Sequence, residues 1–128
     1  MHKKPLVSVI TVCYNSARML KRTIKSPRLQ TYTEIEYIVI DGASKDNTLQ
    51  VIKENQDIID LWISEPDNGL YFAMNKGLEL ANGDYVISIN AGDMFYLPDT
   101  LEKIFSSHQD DVDTVSYTHL TLPTITAV

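Results

Sequence analysis

The chain has 128 residues, 44% of them hydrophobic, with 11 Lys and Arg against 17 Asp and Glu, a formal net charge of −6. That size fits one soluble domain at most, and the acidic balance argues against a nucleic-acid backbone as partner. No run approaches the roughly 18 apolar residues of a membrane span, and the basic start MHKKPLVSV precedes no apolar signal core, so no secretory leader is expected.

Leu6 to Tyr14 is rich in β-branched residues and ends at Asn15-Ser16, the pattern of a buried strand followed by a helix cap. It holds the chain's single cysteine, Cys13, which excludes an internal disulfide, fits a reducing cytoplasmic setting and reads as a small core residue. A helix is expected from Ala17 to about Gln30, with Leu20 and Ile24 facing the sheet. Pro27 conflicts with it, because an interior proline removes a backbone bond and costs ~3 kcal/mol. The helix therefore ends near Ser26, kinks, or carries a local sequence fault. Ile35 to Ile40 is the second strand. Ser44 or Asp46 then caps a helix from about Thr48 to Asn55. Leu61 to Ser64 is a short third strand, and Pro66-Asp67-Asn68-Gly69 is a loop by turn chemistry.

Leu70 to Ala81 is the clearest helix. Leu70, Ala73, Met74, Gly77, Leu78 and Ala81 share one apolar face, and Asn82-Gly83 closes it. Gly77 costs ~1 kcal/mol relative to alanine there, which predicts close approach to another backbone. Tyr85 to Ile89 is the fourth strand, Pro98-Asp99 opens a last helix to about Ser107, and a fifth strand starts near Val112. From about Val115 the run VSYTHLTLPTITAV is threonine-rich and almost uncharged, and resembles cloning or adapter DNA translated in frame. Residues 1–114 are taken as the domain, and 115–128 are set aside as a non-native or disordered tail.

Strands that alternate with helices and carry nearly continuous apolar cores predict a parallel sheet covered on both faces. Right-handed crossovers carry the first three strands outward on one side, and the fourth returns to the other side of the first. The switch point then lies between strands one and four. Ligands of open α/β sheets bind at such a crevice, beside the carboxyl ends of the strands.

Two acids stand at such ends. Asp41 follows IEYIVI, where a carboxylate can accept a hydrogen bond from a base N–H or sugar hydroxyl, or satisfy its own loop. Asp93 ends the Asn90-Ala91-Gly92-Asp93 turn, with Asn90 as a second hard oxygen donor. One carboxylate and one amide cannot cage Mg²⁺ or Mn²⁺ alone, but suffice when a ligand diphosphate supplies the other oxygens. Asp46 reads as favouring the next helix start. Asn75 faces the crevice or solvent, Lys76 is a solvated charge, and Tyr71-Phe72 are core or loop anchors ahead of a base-stacking platform. His2, His108 and His119 share no metal-ligand spacing. No GxGxxG follows the first strand, and no GxxxxGK[ST] or GxSxG occurs. The first strand ends without the acid pair of a phospho-acceptor receiver.

Four segments in order resemble the nucleotide-binding half of a family 2 glycosyltransferase of the GT-A fold: VSVITVCYN (Val7 to Asn15), IEYIVIDGASKDNT (Ile35 to Thr48), SEPDNGLYFAMNKG (Ser64 to Gly77) and NAGD (Asn90 to Asp93). The resemblance covers about residues 5–114. It implies a Rossmann-like three-layer sandwich with a mostly parallel sheet, incomplete at the C-terminus. It implies that Cys13 and Tyr14 line a uracil pocket, that Asp41 bonds the base and that Asn75 shapes the donor site. Asp93, supported by Asn90, would hold a divalent cation, Mn²⁺ or Mg²⁺. Gly92 stands where many members have a ribose-contacting acid, so that contact is missing or passes through backbone. Phe72 replaces an aspartate that relatives often carry before Ala-x-Asn, and Pro27-Arg28 replaces an apolar helix pair.

The implied activity is inverting transfer of a sugar from a nucleotide-diphosphate donor, a UDP-sugar, to the hydroxyl of a glycan or lipid-linked acceptor in surface polysaccharide synthesis. Peripheral membrane association of the full-length protein and a cytoplasmic location go with it. The family's general base lies downstream of the metal motif, so no catalytic residue is named. This chain alone is expected to bind donor weakly and transfer little or no sugar. The competing expectation is a nucleotide-sugar binding module without transfer activity.

Overall fold

The computed structural model describes residues 4–105, 114–116 and 124–127. The elements run β1 Val7–Cys13, α1 Ala17–Thr23, a 3₁₀ turn Ser26–Leu29, β2 Ile35–Asp41, α2 Thr48–Glu54, β3 Leu61–Ser64, α3 Leu70–Leu80, β4 Tyr85–Ser88, α4 Thr100–Phe105, β5 Thr114–Ser116 and β6 Thr124–Ala127. The sheet order is β3-β2-β1-β4-β6-β5. The first four strands are parallel, and β6 pairs antiparallel with both β4 and β5. The strand order therefore reverses at β1, between β2 and β4, as the alternation of elements predicts. Strands β5 and β6 draw on residues beyond Val115. The start of the fifth strand near Val112 and the end of the last helix near Ser107 lie outside the described residues.

Strands β1, β2 and β4 are buried on both faces, and period-2 alternation splits their side chains between two cores. Val7, Val9 and Cys13 of β1 and Ile35, Tyr37 and Val39 of β2 join Leu20 of α1, Val51 and Ile52 of α2, and Leu101 and Ile104 of α4 on one face. Ile10, Ile38, Ile40 and Val86 meet Ala73 of α3 on the other. Two helical layers therefore sandwich one sheet.

Local departures from expectation have physical causes. Helix α1 stops at Thr23 instead of continuing to Gln30. Pro27, without an N–H, is accommodated in the first turn of the 3₁₀ segment. Arg28 then holds that segment to the sheet: it donates from Nε to the Ile58 carbonyl at 3.0 Å and from a terminal nitrogen to the Ile35 carbonyl at 3.2 Å, and it pairs with Asp60 at 2.5 Å. In α3 the buried stripe is Ala73 and Gly77, flanked by Met74 and Leu80. Leu70 and Leu78, expected on the same face, are exposed. The close approach at Gly77 is to a side chain instead of a backbone, since a Cβ there would lie 2.7 Å from Ile10 Cγ2.

Candidate nucleotide-binding site

The carboxyl ends of β1 and β2 lie side by side, with Cys13 in register with Asp41, and Asn90 follows β4 on the far side of β1. At a strand spacing of roughly 4.8 Å, the Asp41 and Asn90 ends of the site are separated by about two strand widths. A cavity of about 780 Å³ opens here. Its walls come from Cys13, Tyr14 and Ser16 after β1, Gly42, Ala43 and Lys45 after β2, Asp67, Gly69, Leu70 and Ala73 at the start of α3, and Asn90 and Ala91 after β4. The volume lies within the roughly 300–1,000 Å³ common for small-molecule sites.

Two loops form the floor, and they hold each other. Asn15 N–H donates to Ser44 Oγ at 2.7 Å, and Lys45 N–H donates back to Asn15 Oδ1 at 2.8 Å. Ser16 N–H reaches Thr48 Oγ1 at 2.8 Å. Asp46 accepts from Ala17 N–H with one oxygen and from the Thr48 N–H and hydroxyl with the other. Asp46 therefore bonds the first residue of both helices, but the N-cap of α2 is Asn47 and not the expected Ser44 or Asp46. The hydrogen bonds from Thr48, side chain then backbone, hold its carboxyl below the usual range. Asn15 and Ala43 both take left-handed backbone, at φ 47° and 61°. That conformation suits Asn15 and strains Ala43.

Asp41 is fully buried. Its carboxylate accepts from Ser44 N–H at 3.0 Å, from the Ser44 hydroxyl, and from the Ser64 hydroxyl at 2.7 Å, with the Cys13 thiol at 3.7 Å. The side chain thus braces the loop beneath the cavity. Burial pushes the Cys13 thiol well above its ordinary value, and the neighbouring Asp41 carboxylate adds to the shift, so the sulfur stays protonated. Tyr14 is more than half exposed and lines the cavity.

The Asn90 turn is closed by Asp93 N–H donating to the Asn90 carbonyl at 2.9 Å, with Gly92 at φ 103°. A glycine at the third turn position is what the type II geometry requires. Thr23 of α1 fixes this turn from behind: its hydroxyl accepts from Gly92 N–H at 2.6 Å and donates to the Asn90 carbonyl at 3.2 Å. The Asp93 carboxylate is half-buried and has no hydrogen bond or ion pair among the described residues.

Other expected site residues sit apart. Asn75 is exposed on α3, and neither it nor Gly92 nor Asp93 is among the cavity-lining residues. Lys76 is no solvated charge: it pairs with Glu65 at 3.1 Å and donates to the Pro66 carbonyl at 3.1 Å, tying α3 to the loop before it. Tyr71 and Phe72 are exposed instead of anchoring core or loop, and meet edge to face at 5.9 Å. Asp67 was missed as a wall residue. It accepts from Gly69 N–H at 3.0 Å, and its other oxygen stands where a Cβ on Gly42 would come within 3.0 Å. The sequence signal was present, since Asp67 and Gly69 form the Asp-x-Gly of the third quoted segment. The histidines lie outside the described residues.

The family described as Glycosyl transferase family 2 matches residues 8–121. The chain belongs to that family. Among curated relatives, an uncharacterized glycosyltransferase of Mycobacterium tuberculosis is 42% identical over 104 residues, 80% of this chain and 40% of that protein. A PGL/p-HBAD biosynthesis glycosyltransferase of Mycobacterium bovis is 32% identical over 103 residues, 78% of this chain and 40% of that one. The chain thus spans about two fifths of the length of these relatives. Among solved structures, the mannosyltransferase PcManGT of Pyrobaculum calidifontis, in complex with GDP-Man and Mn²⁺, superposes with a TM-score of 0.79 at 26% identity, covering 91% of this chain and 36% of that one. The GT-A architecture expected from the four segments is the one found. Among the described residues, no helix is long and apolar enough to cross a membrane.

Proposed function

We propose that this family 2 glycosyltransferase chain holds the nucleotide-sugar donor, with the nucleotide in the cavity at the ends of β1, β2 and β4 and the diphosphate near the Asn90–Asp93 turn. The observation that carries the reading is the cavity itself: it opens at the switch point, and its lining residues all fall between Val12 and Ala91. The donor site is accordingly assigned to residues 1–114. Tyr14 offers a ring for the base, and Cys13 contributes backbone. Asp41 either holds the loop that receives the base or reaches the base after the loop adjusts. Gly92 would meet the ribose through its backbone; its missing side chain makes room for Met19 of α1, whose Cε lies 2.4 Å from where a Cβ would stand. Asn75 would reach the donor sugar from α3.

The donor set at the turn fits a hard divalent cation. Asp93 has a carboxylate without a partner among the described residues, and Asn90 is exposed beside it. No cluster of three metal-binding side chains occurs among the described residues, so diphosphate oxygens must complete the coordination. A bound Mn²⁺ or Mg²⁺ supplies Lewis-acid stabilisation of the charge that collects on the departing diphosphate. This chain's contribution is to place the Asp93 carboxylate and the Asn90 amide at that turn, beside the diphosphate. None of its residues is assigned as general base. The acceptor, a glycan or lipid-linked hydroxyl, belongs to the whole protein.

Calorimetric titration with UDP and with GDP, with and without Mn²⁺, tests the reading. UDP is expected to bind more tightly with Mn²⁺, and Asp93→Ala to remove at least ten-fold of that gain. Absence of binding by either nucleotide overturns the donor site. An undiminished Mn²⁺ effect in Asp93→Ala overturns the metal assignment, and a preference for GDP overturns the uridine assignment alone.

A further inference from the structure

The charge of this chain is segregated. No Asp or Glu precedes Glu34, and seven of the 11 Lys and Arg fall before it. Four of them, Arg18, Lys21, Arg22 and Lys25, are exposed, and none is in an ion pair among the described residues. At about 100° per helical residue they fall within an arc of roughly 100° on α1 and its continuation. Leu20, Thr23 and Ile24 are buried on the opposite side.

Exposed apolar side chains adjoin this basic face. Arg22 and Lys25 share a shallow depression of about 210 Å³ with Leu29 of the 3₁₀ turn and with Met94, Tyr96 and Pro98, the segment just after the Asn90–Asp93 turn. Leu29 is 71% and Tyr96 65% exposed. Among the described residues, no acidic side chain lines the depression. A cationic arc beside exposed apolar groups, on a chain of net charge −6, matches an interface that is anionic at its surface and apolar just beneath.

We propose that the α1 face and the 94–98 segment dock on a bilayer surface containing acidic phospholipid. Arg18, Lys21, Arg22 and Lys25 would contact the headgroup phosphates, and Leu29, Met94 and Tyr96 would enter the acyl boundary. The same docking would bring the Asn90–Asp93 turn near the membrane, because the 94–98 segment follows that turn directly in the chain. A lipid-linked acceptor would then arrive from the bilayer beside the donor. The docking surface itself does not depend on the nucleotide assignment.

Flotation of the 128-residue chain with vesicles tests it, comparing pure phosphatidylcholine with a 7:3 mixture of phosphatidylcholine and phosphatidylglycerol, at low and high salt. Binding is expected only to the mixed vesicles and is expected to weaken with salt. Each cation near the surface changes partition roughly five-fold, so Arg22→Gln with Lys25→Gln should weaken binding about 25-fold. Tyr96→Ser should weaken it at unchanged salt dependence. Circular dichroism and nucleotide titration of the same variants separate loss of this surface from loss of fold or of the donor site. Absent binding, equal binding to both vesicles, or wild-type binding by the folded double variant overturns the proposal. So does displacement from mixed vesicles by a soluble polyanion such as RNA at equal phosphate, which would assign the face to another partner.

Discussion

Replacing Gly77 with alanine should weaken the protein, although alanine is the better helix former by about 1 kcal/mol. The added Cβ would stand 2.7 Å from Ile10 Cγ2 and 3.1 Å from its Cδ1. Carbon atoms prefer about 3.5–4.0 Å, so one partner must retreat by roughly 1 Å. Ile10 is fully buried in the middle of β1, and its branched Cβ leaves Cγ2 little freedom to turn away. Overpacking of this kind costs about 1–3 kcal/mol. Taking the upper part of that range and subtracting the helical gain leaves a net loss of about 2 kcal/mol. The assay is urea unfolding of a double-mutant cycle with Ile10→Ala. In that background the obstructing carbons are gone, and Gly77→Ala should stabilise by up to about 1 kcal/mol, giving a coupling of about 3 kcal/mol. Nucleotide affinity should fall in the single variant as well, because the first turn of α3 carries Leu70 and Ala73 into the cavity wall. A single variant as stable as the parent, or an equal penalty in both backgrounds, would refute this packing.

Asp41→Ala should cost about 2–4 kcal/mol in urea unfolding. It strips the acceptor from Ser44 and Ser64 in a buried site, where unmet groups are expensive. Cys13 should resist thiol reagents at pH 8 until the protein unfolds, since burial and then the Asp41 charge keep it protonated. Rapid labelling under native conditions would show that the floor opens. Burial raises the Glu36 carboxyl, but hydrogen bonds from Asn82, side chain and backbone, and from Ser8 outweigh it, so its folded value lies below the ordinary 4.5. Its contribution is therefore full above 4.5 and lost as pH falls through the folded value. The stability of Glu36→Gln measured from pH 6 to pH 3 should be the flatter curve.

Strand identity and order were legible because they rest on long apolar runs and on the handedness of crossovers, both independent of detail. The Asn90–Asp93 turn was legible because glycine and a carboxylate after an apolar strand leave few alternatives. The buried face of α3 was misread because a helix with apolar residues most of the way round does not declare which stripe the sheet accepts. Only the tight fit at Gly77 decides it, and that stripe leaves Leu70 and Leu78 in solvent. Arg28 was illegible because its partners are carbonyls of Ile35 and Ile58, and backbone groups leave no mark in a sequence. The full burial of Asp41 escaped for a similar reason: its donors are a serine three residues on and another 23 residues away on a neighbouring strand.

The reciprocal bonding of the loops after β1 and β2 has a consequence for engineering. Each loop has bonds of its own, but neither is held by them alone. A chimera that imports only residues 14–16 from a relative would lose the hydroxyl and amide partners those residues expect, and would collapse whatever pocket the donor sequence encoded. Segments 14–16 and 42–48 must travel as one cassette, so exchange of ligand preference between such proteins should succeed in pairs and fail singly.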